Sequence, residues 1–162
     1  MKLVLIRFFY VVTVLLAAGC GHVLSESARS SVELPGGYQE FVRDPAAATG
    51  RTLLLAGFVR SYQVSRDGTV LTLQPYTVDR RGVPQRPVKN AGELLVRSER
   101  ILDPDKFGRG HMVTLVATYI GPEPRSVADK QFGRPLFEAG EIYWWPKAPH
   151  YPYGYAYPFR RY

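Results

Sequence analysis

The side chain whose neighbours most narrowly define a reaction is Cys20, the only cysteine, at the end of Leu15-Leu16-Ala17-Ala18-Gly19-Cys20. Lys2 and Arg7 form a basic head, an apolar run from Phe8 to Ala18 follows, and small residues lead straight to the sulfur. That is the layout of a secretory signal ending in a lipobox. Small residues ahead of the cysteine let a peptidase approach the backbone, and the thiol takes a diacylglycerol, so Cys20 is expected to become an acylated N-terminus. Ala17 stands where such boxes most often carry leucine. The apolar run is well short of the ~20 residues that a spanning helix needs, which favours a lipidated chain over a plain transmembrane anchor or a soluble secreted protein.

Little else in the chain suggests a reaction. The histidines are His22, His111 and His150, and only His111 lies in the body of the sequence. A triad would need Asp103 with Ser98 or Ser126 beside it, yet no Gly-x-Ser-x-Gly elbow occurs to hold such a serine. The ordinary expectation for His111 is a strand end in solvent. Two carboxylate pairs, Asp103 with Asp105 and Glu138 with Glu141, invite comparison with glycan hydrolysis, but nothing places either across a cleft. Asp103 is expected instead to accept backbone N–H bonds in an Asx-Pro turn. Oxygen ligands are not clustered at the spacing a metal loop requires. With Cys20 consumed by lipid, no disulfide, thiolate nucleophile or Cys2His2-type site is available. Neither cofactor nor metal is expected, and the alternative to a non-enzymatic protein is an envelope hydrolase using His111 and a nearby carboxylate.

Removing residues 1–19 from 162 leaves 143, the length of one domain with a real core. Loss of Lys2 and Arg7 leaves 19 of 21 basic residues against 14 acidic ones, a net charge of +5. An exported, lipid-anchored chain of this charge meets phosphate on lipid headgroups and lipopolysaccharide. Nucleic acid is not an expected partner, although Arg80, Arg81, Arg86 and Lys89 form a basic loop.

The elements that must position these groups are strands. Residues 20–50, with Pro35-Gly36-Gly37 and Asp44-Pro45 as punctuation, read as a lipidated tether and lead-in. A helical turn is expected at 39–43, where Tyr38, Phe41 and Val42 fall at helical spacing. From Arg51 the chain becomes strand-like. Residues 52–64 alternate most clearly after Gly57, a candidate bulge or bend, so that Phe58, Arg60, Tyr62 and Val64 share one face. Ser65-Arg66-Asp67-Gly68 is a hairpin turn leading to 69–78, where Pro75 implies an edge or bulge. A long basic loop over 79–92 precedes strands at 93–98, 111–120 and 134–145; Gly121-Pro122-Glu123-Pro124 should end the 111–120 strand.

Short strands at near-regular spacing and no long helix in the mature chain predict an all-β domain. Sheet edges in so small a domain are best removed by closure. The expectation is a small antiparallel barrel of five to six strands, OB-like, following a cleaved signal helix, with a flat sandwich as competitor. The organisation is then signal 1–19, tether and lead-in 20–50, barrel 51–147 and a Tyr/Pro-rich tail 148–162.

In that tail, aromatics at Tyr151, Tyr153, Tyr155, Tyr157 and Phe159 alternate with small residues or proline ahead of Arg160 and Arg161. An extended segment would present them as a stripe. It could be disordered, pack along the barrel, or lie at a headgroup layer or on sugars. The last reading makes Trp144, Trp145, Tyr151, Tyr153, Tyr155, Tyr157, Arg160 and Arg161 the candidate membrane or glycan contacts.

Leu102-Asp103-Pro104, then Phe107, then Gly108-Arg109-Gly110-His111-Met112-Val113-Thr114-Leu115 resembles the Leu-Asp-Pro, aromatic, Gly-Arg and Val-Thr-Val order of one family. Gly133, Pro135 and Tyr143-Trp144-Trp145-Pro146 extend the likeness, which covers Thr52 to Pro146. With the lipobox and tyrosine-rich tail, the chain resembles the starvation-inducible outer-membrane lipoprotein family, Slp. It departs at Leu54-Leu55-Ala56-Gly57, where the family usually carries a tryptophan and paired glycines, and at Gly110-His111, which intervenes before the strand. The resemblance implies a periplasm-facing outer-membrane lipoprotein linked to starvation or stationary phase, with no enzymatic activity and no catalytic residue to assign. Its partners would be outer-membrane lipid through acylated Cys20, with lipopolysaccharide, peptidoglycan or other envelope proteins as further candidates.

Overall fold

The computed structural model describes residues 22–123 and 133–146. Six strands follow in order: β1 (Thr52–Ser65), β2 (Gly68–Val78), β3 (Pro84–Pro87), β4 (Leu94–Ser98), β5 (Met112–Pro122) and β6 (Pro135–Trp145). Three short helices, α1 (Glu26–Ser30), α2 (Gly37–Arg43) and α3 (Pro104–Phe107), accompany them. The sheet order is β1-β5-β6-β4-β2-β3, and β1 also pairs with β2, so five strands close into a ring. Closure removes the long exposed edges that would otherwise template association. The fold is all-β and barrel-like, as the strand spacing implies.

One pairing departs from the antiparallel expectation. β4 and β6 run parallel, with Val96 opposite Phe137. A parallel neighbour needs a long crossover, and the chain between them supplies one that contains α3 and β5. β3 was not foreseen inside the basic loop; it takes over the edge of β2 at Tyr76 and Val78, beyond the point where the β2–β4 pairing ends at Leu73 opposite Leu94. Pro75, which has no N–H to give, lies in that handover and accepts from Val88 N at 3.0 Å. β5 likewise runs on through Gly121-Pro122 before it ends.

The interior follows the period-2 rule. Leu53 and Leu55 of β1, Leu71 and Leu73 of β2, and Val113 and Leu115 of β5 are all at most 1% exposed. The bulge in β1 is not at Gly57, which pairs with both Pro75 and Val113 without a shift; the register slips between Val59 and Ser61. A Cβ on Gly57 would lie 2.9 Å from the Gln74 carbonyl oxygen and from Leu73 Cβ, so glycine is needed there for the close approach of β2. Val59 joins the core, and Phe58 and Arg60 stay together on the other face, the Arg60 guanidinium 5.1 Å from the Phe58 ring centroid. The slip brings Tyr62 opposite Leu71 and against the core, so it does not share the face of Phe58 and Arg60.

α2 closes one end of the ring. Phe41 packs edge-on against Tyr119 at 4.8 Å and Phe137 at 5.3 Å between ring centroids, with Tyr38 beside it at 5.5 Å. Val42, at the helix margin, stays 53% exposed. The Leu102-Asp103-Pro104 run is a clamp. Tyr62 Oη donates to the Leu102 carbonyl at 2.6 Å, and Leu102 N donates to the buried Thr69 Oγ1 at 2.9 Å. Asp103 Oδ1 accepts from Asp105 N at 2.9 Å and caps α3, with Pro104 in the first turn, so the expected Asx-Pro turn extends into one helical turn. Among the described residues no helix is long and apolar enough to cross a membrane.

Candidate functional site

The lead-in is packed from its first described residues. Val23 N donates to the Arg81 carbonyl at 3.4 Å, and Leu24 is only 3% exposed. Ser25 caps α1 by accepting from Ala28 N, and its own N–H and hydroxyl both donate to the Glu141 carboxylate on β6, the N–H at 2.9 Å. These bonds hold Glu141 below the usual carboxylate range. The segment just after the lipobox is thus pinned to the ring at two points.

The facing element is the turn between β2 and β3. Asp79 Oδ1 accepts from Arg81 N at 2.8 Å and Val83 N at 2.9 Å, folding Asp79-Arg80-Arg81-Gly82 into a compact loop. Gly82 has φ +81°, and a Cβ there would fall 2.8 Å from Val23 Cγ2, so the turn needs glycine both for conformation and for contact with the lead-in. Thr114 Oγ1 donates to the Gly82 carbonyl at 2.7 Å, and Trp145 Nε1 donates to Thr114 Oγ1 at 3.0 Å. This chain ties the turn to β5 and β6.

Between α1 and the turn lies a cleft of about 380 Å³. Its polar lining is His22, Arg29, Asp79 and Arg80, and its apolar wall includes Val32, Leu54 and Val78. A smaller hollow of about 200 Å³ adjoins it across Pro35 and Val78. The larger volume lies in the range of small-molecule sites. His22 Nδ1 accepts from Leu24 N at 3.2 Å, which places the proton of the neutral ring on Nε2. Burial, then the Arg29 charge, pushes the His22 pKa down; a backbone hydrogen bond with Arg80 and the Asp79 charge oppose the shift. Arg29 and Arg80 are exposed, and among the described residues neither is in an ion pair. Elsewhere Arg134 pairs with Glu93 and Glu123, Arg97 with Glu138, and Lys106 with Asp103.

The residues considered for catalysis are not brought together. His111 is half-buried rather than exposed at its strand end, with Nδ1 at 3.0 Å from the Gly108 carbonyl oxygen. Ser98 is buried and accepts from Arg100 N at 3.2 Å; Asp103 is a helix cap. Glu138 pairs with Arg97, and Glu141 serves Ser25. Among the described residues no carboxylate is hydrogen-bonded to His111, and no group of three or more His, Cys, Asp or Glu could hold a metal ion. The hydrolase alternative finds no support in this geometry.

Of the candidate contacts, Trp144 is half-buried, whereas Trp145 is 8% exposed with its N–H already used by Thr114. Trp145 stacks edge-on with Tyr143 at 5.0 Å, so its ring faces protein. Cys20, Ser126, His150, Tyr151, Tyr153, Tyr155, Tyr157, Arg160 and Arg161 lie outside the described residues, as does the signal expected at 1–19. The sequence does not signal the cleft, because His22 and Arg29 fall in a polar stretch that reads as a tether. The one available signal was the Asp-Arg-Arg-Gly order at 79–82, a turn that carries paired cations.

A family model described as outer membrane lipoprotein Slp family matches residues 17–162, which include Cys20 and the whole ring. No curated protein and no solved structure matches the chain.

Proposed function

The chain belongs to the outer membrane lipoprotein Slp family, and on that premise we propose a non-enzymatic, periplasm-facing module that binds or stabilises envelope components in starvation or stationary phase. Acyl chains on Cys20 hold it in the inner leaflet of the outer membrane. At ~0.8 kcal/mol per buried methylene, three chains give effectively permanent attachment where one would not.

The observation that carries this reading is the shortness of the leash. Leu24, four residues after Cys20, is already 3% exposed. The four steps of chain from Cys20 to Leu24 span at most about 14 Å. A ring held that close to its anchor works at the membrane surface rather than ranging through the periplasm. Lipopolysaccharide, peptidoglycan and other envelope proteins are the partners within reach, and Trp144 with the aromatic tail is the surface proposed to meet them.

Replacing Cys20 by serine should release the protein into the soluble periplasmic fraction. If Cys20→Ser still sedimented with outer membranes, the anchor would lie elsewhere. Crosslinking in stationary-phase cells, followed by identification of the adducts, tests the binding role; an anchored protein that crosslinks to lipid alone would contradict it.

A further inference from the structure

We propose that the cleft between α1 and the β2–β3 turn is a phosphate-ester site, occupied by the headgroup of a membrane lipid beside the anchor, with Arg29 and Arg80 as its ligands. The proposal rests on acylation of Cys20 and goes beyond the general binding role.

Charge is the first ground. Arg29 and Arg80 line one cleft from two different elements, and among the described residues neither has a carboxylate partner. The acid in the cleft, Asp79, is committed by its Oδ1 to the N–H groups of Arg81 and Val83 within its own turn. Two arginines on the lining of one hollow suit an oxyanion with several acceptor oxygens, since a guanidinium can donate two parallel N–H bonds to phosphate. The turn's backbone is fixed from both sides, by Val23 N on the Arg81 carbonyl and by Thr114 on the Gly82 carbonyl, so the position from which Arg80 reaches the cleft is set in advance.

Depth is the second ground. His22, which lines the cleft, is two residues from Cys20, a reach of at most about 7 Å. The headgroup region adds about 5–8 Å to each face of the hydrocarbon core. A cleft so tied to an acylated residue lies at the level of lipid phosphates, and its Val32, Leu54 and Val78 wall suits the glycerol end of the same molecule. Soluble phosphate esters share the chemistry but are not delivered by the anchor.

The test uses the purified full-length lipoprotein and its Arg29→Gln/Arg80→Gln variant. Both changes are at exposed positions, so the fold should be kept. Each protein is placed in vesicles containing phosphatidylglycerol or in vesicles of uncharged galactolipid, and amide hydrogen exchange is followed over 22–29 and 79–83. Wild type should exchange about ten- to thirtyfold more slowly in phosphatidylglycerol than in galactolipid, and the double variant should show no such difference. Equal protection in both lipids, or protection retained in the variant, overturns the phosphate site. In a further arm, glycerol 3-phosphate is added to the protein in detergent. Protection matching that in phosphatidylglycerol would overturn the lipid source in favour of a soluble ester, and absence of protection supports the lipid. The intact mass of the same sample reports separately whether Cys20 is acylated, so failure of the anchor and failure of the cleft are distinct results.

Discussion

Trp145 donates its indole N–H to Thr114 Oγ1 at 3.0 Å, and the Thr114 hydroxyl donates in turn to the Gly82 carbonyl at 2.7 Å. Thr114 is fully buried, and through this one hydroxyl the last strand, the β2–β3 turn and, by contact with Gly82, the lead-in become a single unit. Thr114→Val keeps the shape and removes the hydroxyl, leaving two polar groups unpaired. Each should cost about 1–3 kcal/mol. Equilibrium denaturation in detergent should show the loss, and Thr114→Ser should recover most of it; an unchanged midpoint for valine would contradict the linkage.

Among the described residues Phe137 is the largest fully buried side chain, and it meets Phe41 from α2 and Tyr119 from β5. Phe137→Ala opens a cavity where three elements converge and should destabilise the ring by about 3–5 kcal/mol. Phe137→Leu should cost markedly less. A loss below about 1 kcal/mol for alanine would mean that the ring is not packed around this residue.

Acid should loosen the lead-in. His22 has its pKa lowered by burial and by Arg29, against the Arg80 backbone bond and Asp79, so between the ordinary value of 6.5 and the lower folded value the unfolded chain binds more protons. Its contribution is complete above 6.5 and is lost as pH falls through the folded value. Protonation would also set an Nδ1 proton against the Leu24 N–H. Glu141 acts in the same sense lower down: its contribution is present above 4.5 and is lost as pH falls through its depressed value. Hydrogen exchange at Leu24 and Ser25, corrected for the intrinsic pH dependence, should lose protection from about pH 6.5 downward, and Glu141→Gln should abolish the more acidic step. Flat corrected protection from neutrality to pH 4.5 would contradict the His22 assignment, and no further loss as pH falls below 4.5 would contradict that of Glu141.

Much of the ring was legible because strand signals are local. The strand-like runs at 52–64 and 69–78 fall within β1 and β2, and Asp67-Gly68 marked the hairpin that joins them. The parallel β4–β6 pair was not legible, since it depends on which strands meet after closure. Gly57 and Arg60 show a second limit. A glycine in a strand signals either a bulge or a close approach, and only the position of Leu73 and Gln74 decides between them. The cleft was hidden for the same reason. His22 and Arg29 are far in sequence from Asp79 and Arg80, and polar residues after a signal look like a tether until Leu24 and Glu141 are seen to hold them down. Trp145 likewise reads as a surface aromatic until Thr114 is placed beside it.

The proposed acylation of Cys20 would set the distance between ring and membrane on which the rest depends, and the mass of the N-terminal fragment of the mature protein, isolated from outer membranes, tests it most directly. The account predicts a fragment beginning at Cys20 that carries a thioether-linked diacylglycerol and an amide-linked acyl chain, with residues 1–19 gone. A fragment beginning at Met1, or at any residue with the Cys20 thiol free, would contradict it.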